Sequence, residues 1–276
     1  METTRAKVPI SLAILIILAF AGVLVVNALA NALPLNGMNT GELSDAIPNL
    51  FVPMGLTFSI WGLIYLGLAA YVLAILAESL GKGAKAAAFD STDALLVLAN
   101  FAANMAWIFA WHWQLLPLSL VFMLGILGTL IALAERIHAK KTRGGALSLE
   151  SGRSRAARLA LTTPVHIYLG WISVATIANV TALLVTLGWN GWGLSDPLWT
   201  VIAIIAGLAV ALGFVFLRGG VAAPLVVVWA YAGIAIKRLG TDPTETAAVW
   251  IAAVAAAGLI LVALAARYIL KTYPKD

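Results

Sequence analysis

The chain has no cysteine, and only three histidines and twelve acidic residues among its 276 positions. Without cysteine there are no disulfides, no thiolate metal sites and no cysteine nucleophile. Charged residues make up 11% and hydrophobic residues 62%, with a mean hydropathy of +1.00, which excludes a soluble catalytic domain. The centres of the long apolar runs hold no Asp, Glu, Lys or Arg. Glu78, Asp93, Glu135, Lys237 and Arg267 sit at or near run ends. Pumps, proton-coupled transporters and ion channels usually carry intramembrane charge, so the pattern weighs against those classes. A retinal protein would need a lysine deep in a late helix, and none exists. His112 and His138 fall in or beside loops. His166 stands alone within a run, so a hydrogen-bonded helix residue is expected there and no metal site.

What is present is apolar length. Runs occur at roughly 8–30, 52–77, 92–112, 115–135, 160–187, 198–217, 221–236 and 246–270, near the ~20 residues a bilayer core requires. Assigning the connections to alternate sides sorts the basic residues. Arg5, Lys7, Lys82, Lys85, Arg136, Lys140, Lys141, Arg143, Arg153, Arg155, Arg158, Arg218, Arg267, Lys271 and Lys275 share one side, leaving Lys237 and Arg238 on the other. The positive-inside rule then predicts an all-α, polytopic integral membrane bundle of about eight transmembrane helices. Both termini are expected in the cytoplasm, and the membrane is expected to be a bacterial-type plasma (inner) membrane. The pI of about 9.6 reports loop orientation, so membrane lipids and not nucleic acid are the expected partners.

Ala28-Leu29-Ala30 imitates a signal-peptidase site, but the preceding apolar run exceeds the ~7–15 residues of a signal h-region, so a retained first span is expected. Gly219, Gly220 and Pro224 allow a re-entrant reading of 221–236. A full crossing keeps the last basic residues on the positive side and is preferred.

Three stretches stand between or beside the spans. Loop 31–51, punctuated by Pro34, Gly37, Gly41 and Pro48, carries Glu42 and Asp45 and no basic residue; it reads as a solvated connector or as a lid. Segment 136–158 is basic and rich in glycine and serine, suited to anionic headgroups. After Asp196 aromatics thin out, placing a boundary near 190–197 and dividing the chain into 1–190 and 191–276.

Aromatic and amide residues form three stripes at helical spacing. They are Phe58, Trp61 and Tyr65; Asn100, Asn104, Trp107 and Trp111; and Tyr168, Trp171, Ala175 and Asn179. Lipid offers no partner to an amide or an indole N–H, so these faces should turn inward. They serve either as packing, with asparagines bridging helices, or as walls of a pocket for a flat apolar ligand. Trp113, Trp189, Trp192 and Trp199 fit an interfacial aromatic belt.

The stripes resemble the tryptophan-rich sensory protein / translocator protein (TspO/MBR) family, a five-helix membrane fold. The second span, Pro53-Met54-Gly55-Leu56-Thr57-Phe58-Ser59-Ile60-Trp61-Gly62-Leu63-Ile64-Tyr65, is similar to PPGxxFxxxWxxLY, with Met54 for the second proline and one residue fewer between Phe58 and Trp61. Asn104-Met105-Ala106-Trp107 matches NxxW, with Asn100 where the family has glutamine. Tyr168, Trp171, Ala175, Thr176 and Asn179 fit YxxWxxxATxxN, with Pro164 upstream of the family's proline position. The resemblance covers about residues 8–190. Loop 31–51 lacks the family's WYxxLxKP signature, the stretch after the fifth span lacks its basic sterol pattern, and spans six to eight have no counterpart.

The resemblance implies a membrane receptor or carrier for a planar hydrophobic ligand, a porphyrin-like tetrapyrrole or sterol-like lipid, closed over by loop 31–51. Trp61, Tyr65, Trp107, Trp111, Tyr168 and Trp171 would supply ring-bearing walls. Asn104 and Asn179 would anchor ligand polar groups or lock helices. No cofactor is required beyond such a porphyrin- or haem-like ligand, and a second copy of the chain is a candidate partner. The rival readings are a facilitative transporter or exporter of a neutral or amphipathic molecule, and an enzyme acting on bound tetrapyrrole or lipid. The spans hold no carboxylate pair, Ser-His-Asp set or metal cluster, so no enzyme is expected.

Overall fold

The computed structural model describes residues 7–33, 35–81, 88–142, 147 and 154–272. Arg5, Pro34, Lys82, Lys85, Arg143, Arg153 and Lys275 lie outside the described residues. Helices dominate, with no strand among the described residues. They are α1 (Ile10–Ala32), α2 (Thr40–Ala46), α3 (Ile60–Leu80), α4 (Ser91–His112), α5 (Leu116–Thr142), α6 (Arg155–Thr186), α7 (Asp196–Gly213), α8 (Ala222–Thr241) and α9 (Ala247–Thr272). All but the short α2 contribute a stretch long and apolar enough to cross a membrane, eight in total. The segment at 221–236 belongs to one continuous helix, α8, with Pro224 in its first turn, where a missing N–H costs nothing.

The chain forms two compact units, one made of residues 1–39 and 61–168, the other of 40–60 and 169–276. In the first unit, α4 packs against α5 and α1. Its start is set by a capping box. The Asp90 carboxylate accepts from the Thr92 and Asp93 N–H groups at 3.0 and 3.1 Å, and Asp93 returns a bond to the Asp90 N–H at 2.9 Å. The same carboxylates receive two cations from α5. Arg136 reaches Asp93 and Asp90, each at 2.6 Å, and the buried Lys140 pairs with Asp93 and donates to the Ala88 carbonyl at 2.7 Å. These partners let α5 run beyond its apolar stretch to Thr142. Elsewhere in this unit α3 approaches α6 closely at Gly67, where a Cβ would lie 3.1 Å from Pro164.

In the second unit, α9 packs against α7 and α8. Small residues permit close approach: a Cβ on Gly170 would stand 2.7 Å from the Ala223 carbonyl oxygen. Gly207 leaves room for Tyr231, whose hydroxyl donates to the Ile204 carbonyl at 2.6 Å. Beyond Gly213, α7 widens into a π turn, Phe214–Arg218, closed by Gly219 in the left-handed region at φ 65°. Arg267 of α9 donates to the Val215 carbonyl and, at 3.0 Å, to that of Phe216.

Segment 40–60 is fastened within this unit to α8 and α6. Met54 N–H donates to the Gly233 carbonyl at 3.1 Å, Trp229 Nε1 to the Thr57 carbonyl at 2.9 Å, and Asn49 Nδ2 to Thr181 Oγ1 at 2.6 Å. Lys237 pairs with Asp45 on α2. Gly233 makes the contact feasible, because a Cβ there would fall 2.0 Å from Thr57 Oγ1.

Candidate functional site

Six of the eight residues expected to wall or anchor a ligand lie in the first unit: Trp61, Tyr65, Asn104, Trp107, Trp111 and Tyr168. Trp61 and Tyr65, one turn apart on α3, stack with centroids 5.5 Å apart. Trp61 also meets Tyr168 of α6 edge-on at 5.7 Å. The Tyr168 hydroxyl accepts from Asn104 Nδ2 of α4 at 2.9 Å, and Asn104 Oδ1 accepts from Asn27 Nδ2 of α1 at 2.9 Å. Faces of α3, α4 and α6 therefore meet in one chain of rings and amides. Asn104 spends its carbonyl and one N–H inside the protein, a helix-locking role, and Asn100 does likewise, donating to Thr129 Oγ1 at 2.9 Å and the Ile126 carbonyl at 3.3 Å.

Trp107 and Trp111 stack on successive turns of α4, centroids 5.8 Å apart. They are 6% and 5% exposed, and neither indole Nε1 has a hydrogen-bond partner. A buried donor left unmade costs about 1–3 kcal/mol. Two on one helix face, one turn beyond Asn104, mark a place that can reward an acceptor. Tryptophans elsewhere in the chain do find partners: Trp199 Nε1 donates to the Gly191 carbonyl at 2.7 Å and Trp250 Nε1 to that of Pro243 at 3.0 Å.

The remaining two residues, Trp171 and Asn179, belong to the second unit and are buried. Trp171 meets Phe58 edge-on at 5.7 Å. Phe58 does not continue the α3 stripe as its spacing suggested. It lies in a 3-10 turn, Gly55–Ser59, that precedes the helix, because Pro53 and Gly55 delay the α-helical start to Ile60. His166 Nδ1 donates to the Thr162 carbonyl at 2.7 Å, an in-helix contact.

Spacing did not reveal Asn27, although it is the one amide inside an otherwise apolar first run and could have been found on that ground. Nor did it reveal a cavity of about 880 Å³ in the second unit, bounded by Asp45–Leu50, the end of α6, the start of α7 and the end of α8. Trp189 and Trp199, expected only as belt residues, line it, as do Lys237 and Arg238. The signal for this cavity lay in those two basic residues, the exceptions to the charge sorting.

The sequence matches the family described as TSPO-like protein over residues 13–266. No curated protein and no solved structure matches the chain.

Proposed function

The chain belongs to the TSPO-like protein family, and from that premise we propose that it is a membrane receptor or carrier for a planar hydrophobic ligand, a porphyrin-like tetrapyrrole or a sterol-like lipid. Its eight apolar helices make it a multi-pass integral membrane protein. The observation that carries the proposal is the pair of buried, unpartnered indole N–H groups on Trp107 and Trp111. A ligand carbonyl, carboxylate or ring nitrogen beside them would accept those bonds, while Trp61, Tyr65 and Tyr168 offer ring faces and edges. Aromatic pairs of this kind add about 0.5–1.5 kcal/mol each beyond area burial.

The proposed activity is binding without chemistry, with both termini cytoplasmic in a bacterial-type inner membrane, lipids as surroundings and a second copy as candidate partner. The test is quenching of tryptophan fluorescence by protoporphyrin in detergent. Saturable quenching, weakened in Trp107→Phe, is the expected outcome. Quenching no greater than that of an unrelated tryptophan-rich membrane protein overturns the tetrapyrrole assignment. The alternative, facilitated transport of a neutral or amphipathic molecule, draws on the large cavity built partly by α7 and α8. Flux into proteoliposomes, lost when the cavity-lining Val180 is replaced by Trp, would favour it.

A further inference from the structure

We propose that the cavity of the second unit is a separate binding site for a single-chain amphiphile with an anionic head, a carboxylate or a phosphate. Arg238 and Lys237 would receive the head, and the α6 and α7 walls the chain. It shares none of its lining with the residues of the aromatic stripes, so it stands or falls independently of the tetrapyrrole reading.

The volume of about 880 Å³ lies within the ~300–1,000 Å³ of small-molecule sites. Its walls are more apolar than their composition suggests, because the threonine hydroxyls turn back to their own helices. Thr176 donates to the Ile172 carbonyl at 2.7 Å, Thr200 to that of Asp196 at 2.8 Å, and Thr241 to that of Lys237 at 2.9 Å. Thr181 donates to the Ala178 carbonyl at 2.9 Å and accepts from Asn49. With those hydroxyls engaged by backbone carbonyls, the rest of the lining includes Ile177, Val180 and Leu184. An apolar chain suits such walls.

One strong polar demand remains. Arg238 is 9% exposed, lines the cavity, and its Nε has no partner. Its Nη2 makes only a long contact, 3.4 Å, to the Val52 carbonyl. A buried guanidinium with an idle N–H favours an anion that can accept from it. Beside it, Lys237 is taken by the Asp45 carboxylate of α2, whose side chain is half exposed. That carboxylate occupies the position an incoming acid head would take. The other acids of the lining are Asp196 and Glu245, both exposed, and the half-buried Asp242, whose Oδ1 accepts from the Glu245 N–H at 3.2 Å; the buried charge of the lining is Arg238.

The probe is 11-(dansylamino)undecanoic acid, with its methyl ester as control, titrated into the full chain in dodecyl maltoside and read by dansyl fluorescence. The acid is expected to bind saturably and the ester not. Arg238→Gln should weaken the acid about tenfold or more, the worth of a charge-assisted bond. Asp45→Asn should tighten it about two- to fivefold, because a competing exposed carboxylate has gone. Opposite shifts from two neighbouring variants cannot come from general loss of folding. If Arg238→Gln does not fold, the acid-against-ester comparison and Asp45→Asn still decide. Displacement of the probe at lower concentration by dodecyl phosphate than by lauric acid assigns a phosphate head, and the reverse order a carboxylate. Equal binding of acid and ester, failure of both competitors, or weakening by Asp45→Asn overturns the proposal.

Discussion

Asn104 donates to the Tyr168 hydroxyl at 2.9 Å while accepting from Asn27 at the same distance, so one buried amide on α4 joins α1 to α6. In an apolar surround neither group has water to fall back on. Tyr168→Phe should therefore destabilise the protein by about 0.5–1.7 kcal/mol, the range for interhelical hydrogen bonds in membranes. Asn104→Ala should cost more, since it strands Tyr168 and also one amide N–H of Asn27, which otherwise keeps only its Val23 carbonyl contact at 2.9 Å. A double-mutant cycle by thermal melting in detergent checks this. Strict additivity of the two variants would deny the coupling.

Asp93 presents a larger stake. It is 2% exposed and meets both Arg136 and Lys140. Asp93→Asn keeps the shape but leaves the buried Lys140 without its carboxylate, and it weakens the capping box of α4. Loss of one partner from a buried ion pair typically costs about 3–5 kcal/mol. Asp93→Asn is expected to fall in that range by denaturant titration, and Lys140→Met to be milder because the charge leaves with the side chain.

Much of this architecture was legible in the residue pattern, for reasons that differ by element. The spans were readable because bilayer thickness sets apolar length, and the α4 and α6 stripes because helical spacing places Asn104 over Trp107 and Tyr168 over Trp171. Helix ends were less readable. α5 continues to Thr142 because Arg136 and Lys140 find Asp90 and Asp93 on another helix, a relation no local pattern contains. Likewise, spacing names the face that Trp107 occupies but not whether its N–H has a partner. The fastening of segment 40–60 to α8 depends on Met54, Thr57 and Asp45 meeting residues more than 170 positions away, which periodicity cannot express.

That fastening yields a packing prediction. Gly233→Ala would place a methyl 2.0 Å from Thr57 Oγ1, with Thr57 Cβ and Cγ2 at 3.0 Å. Overpacking of this kind costs about 1–3 kcal/mol. Gly62→Ala, with nothing within 4 Å of the new methyl, serves as control and should be neutral or slightly stabilising. Limited proteolysis after Gly233→Ala should cut first within 40–60. Protection equal to that of the parent chain would contradict the fastening.

The orientation proposed from charge sorting is open to direct labelling, since the chain has no native cysteine. A cysteine at Gly41, on α2, should react with an impermeant maleimide added outside intact cells. One at Gly145, outside the described residues, should react only after lysis. The inverse pattern would place both termini outside.

The unpartnered indoles of Trp107 and Trp111 separate a ligand site from simple packing. Replacing Trp107 by 3-benzothienylalanine, through nonsense suppression, exchanges the N–H for sulfur with little change in shape. If the ring only fills space, removing an unmet donor should stabilise the free protein by about 1–3 kcal/mol and leave protoporphyrin quenching as it was. If the N–H serves a ligand, the same stabilisation should come with weaker quenching, because an acceptor on the porphyrin loses its donor. Trp199, whose Nε1 is already bonded to the Gly191 carbonyl, provides the opposite control: the same replacement there should destabilise. Melting and quenching measured on both variants thus distinguish a donor held ready for a ligand from one merely left over by packing.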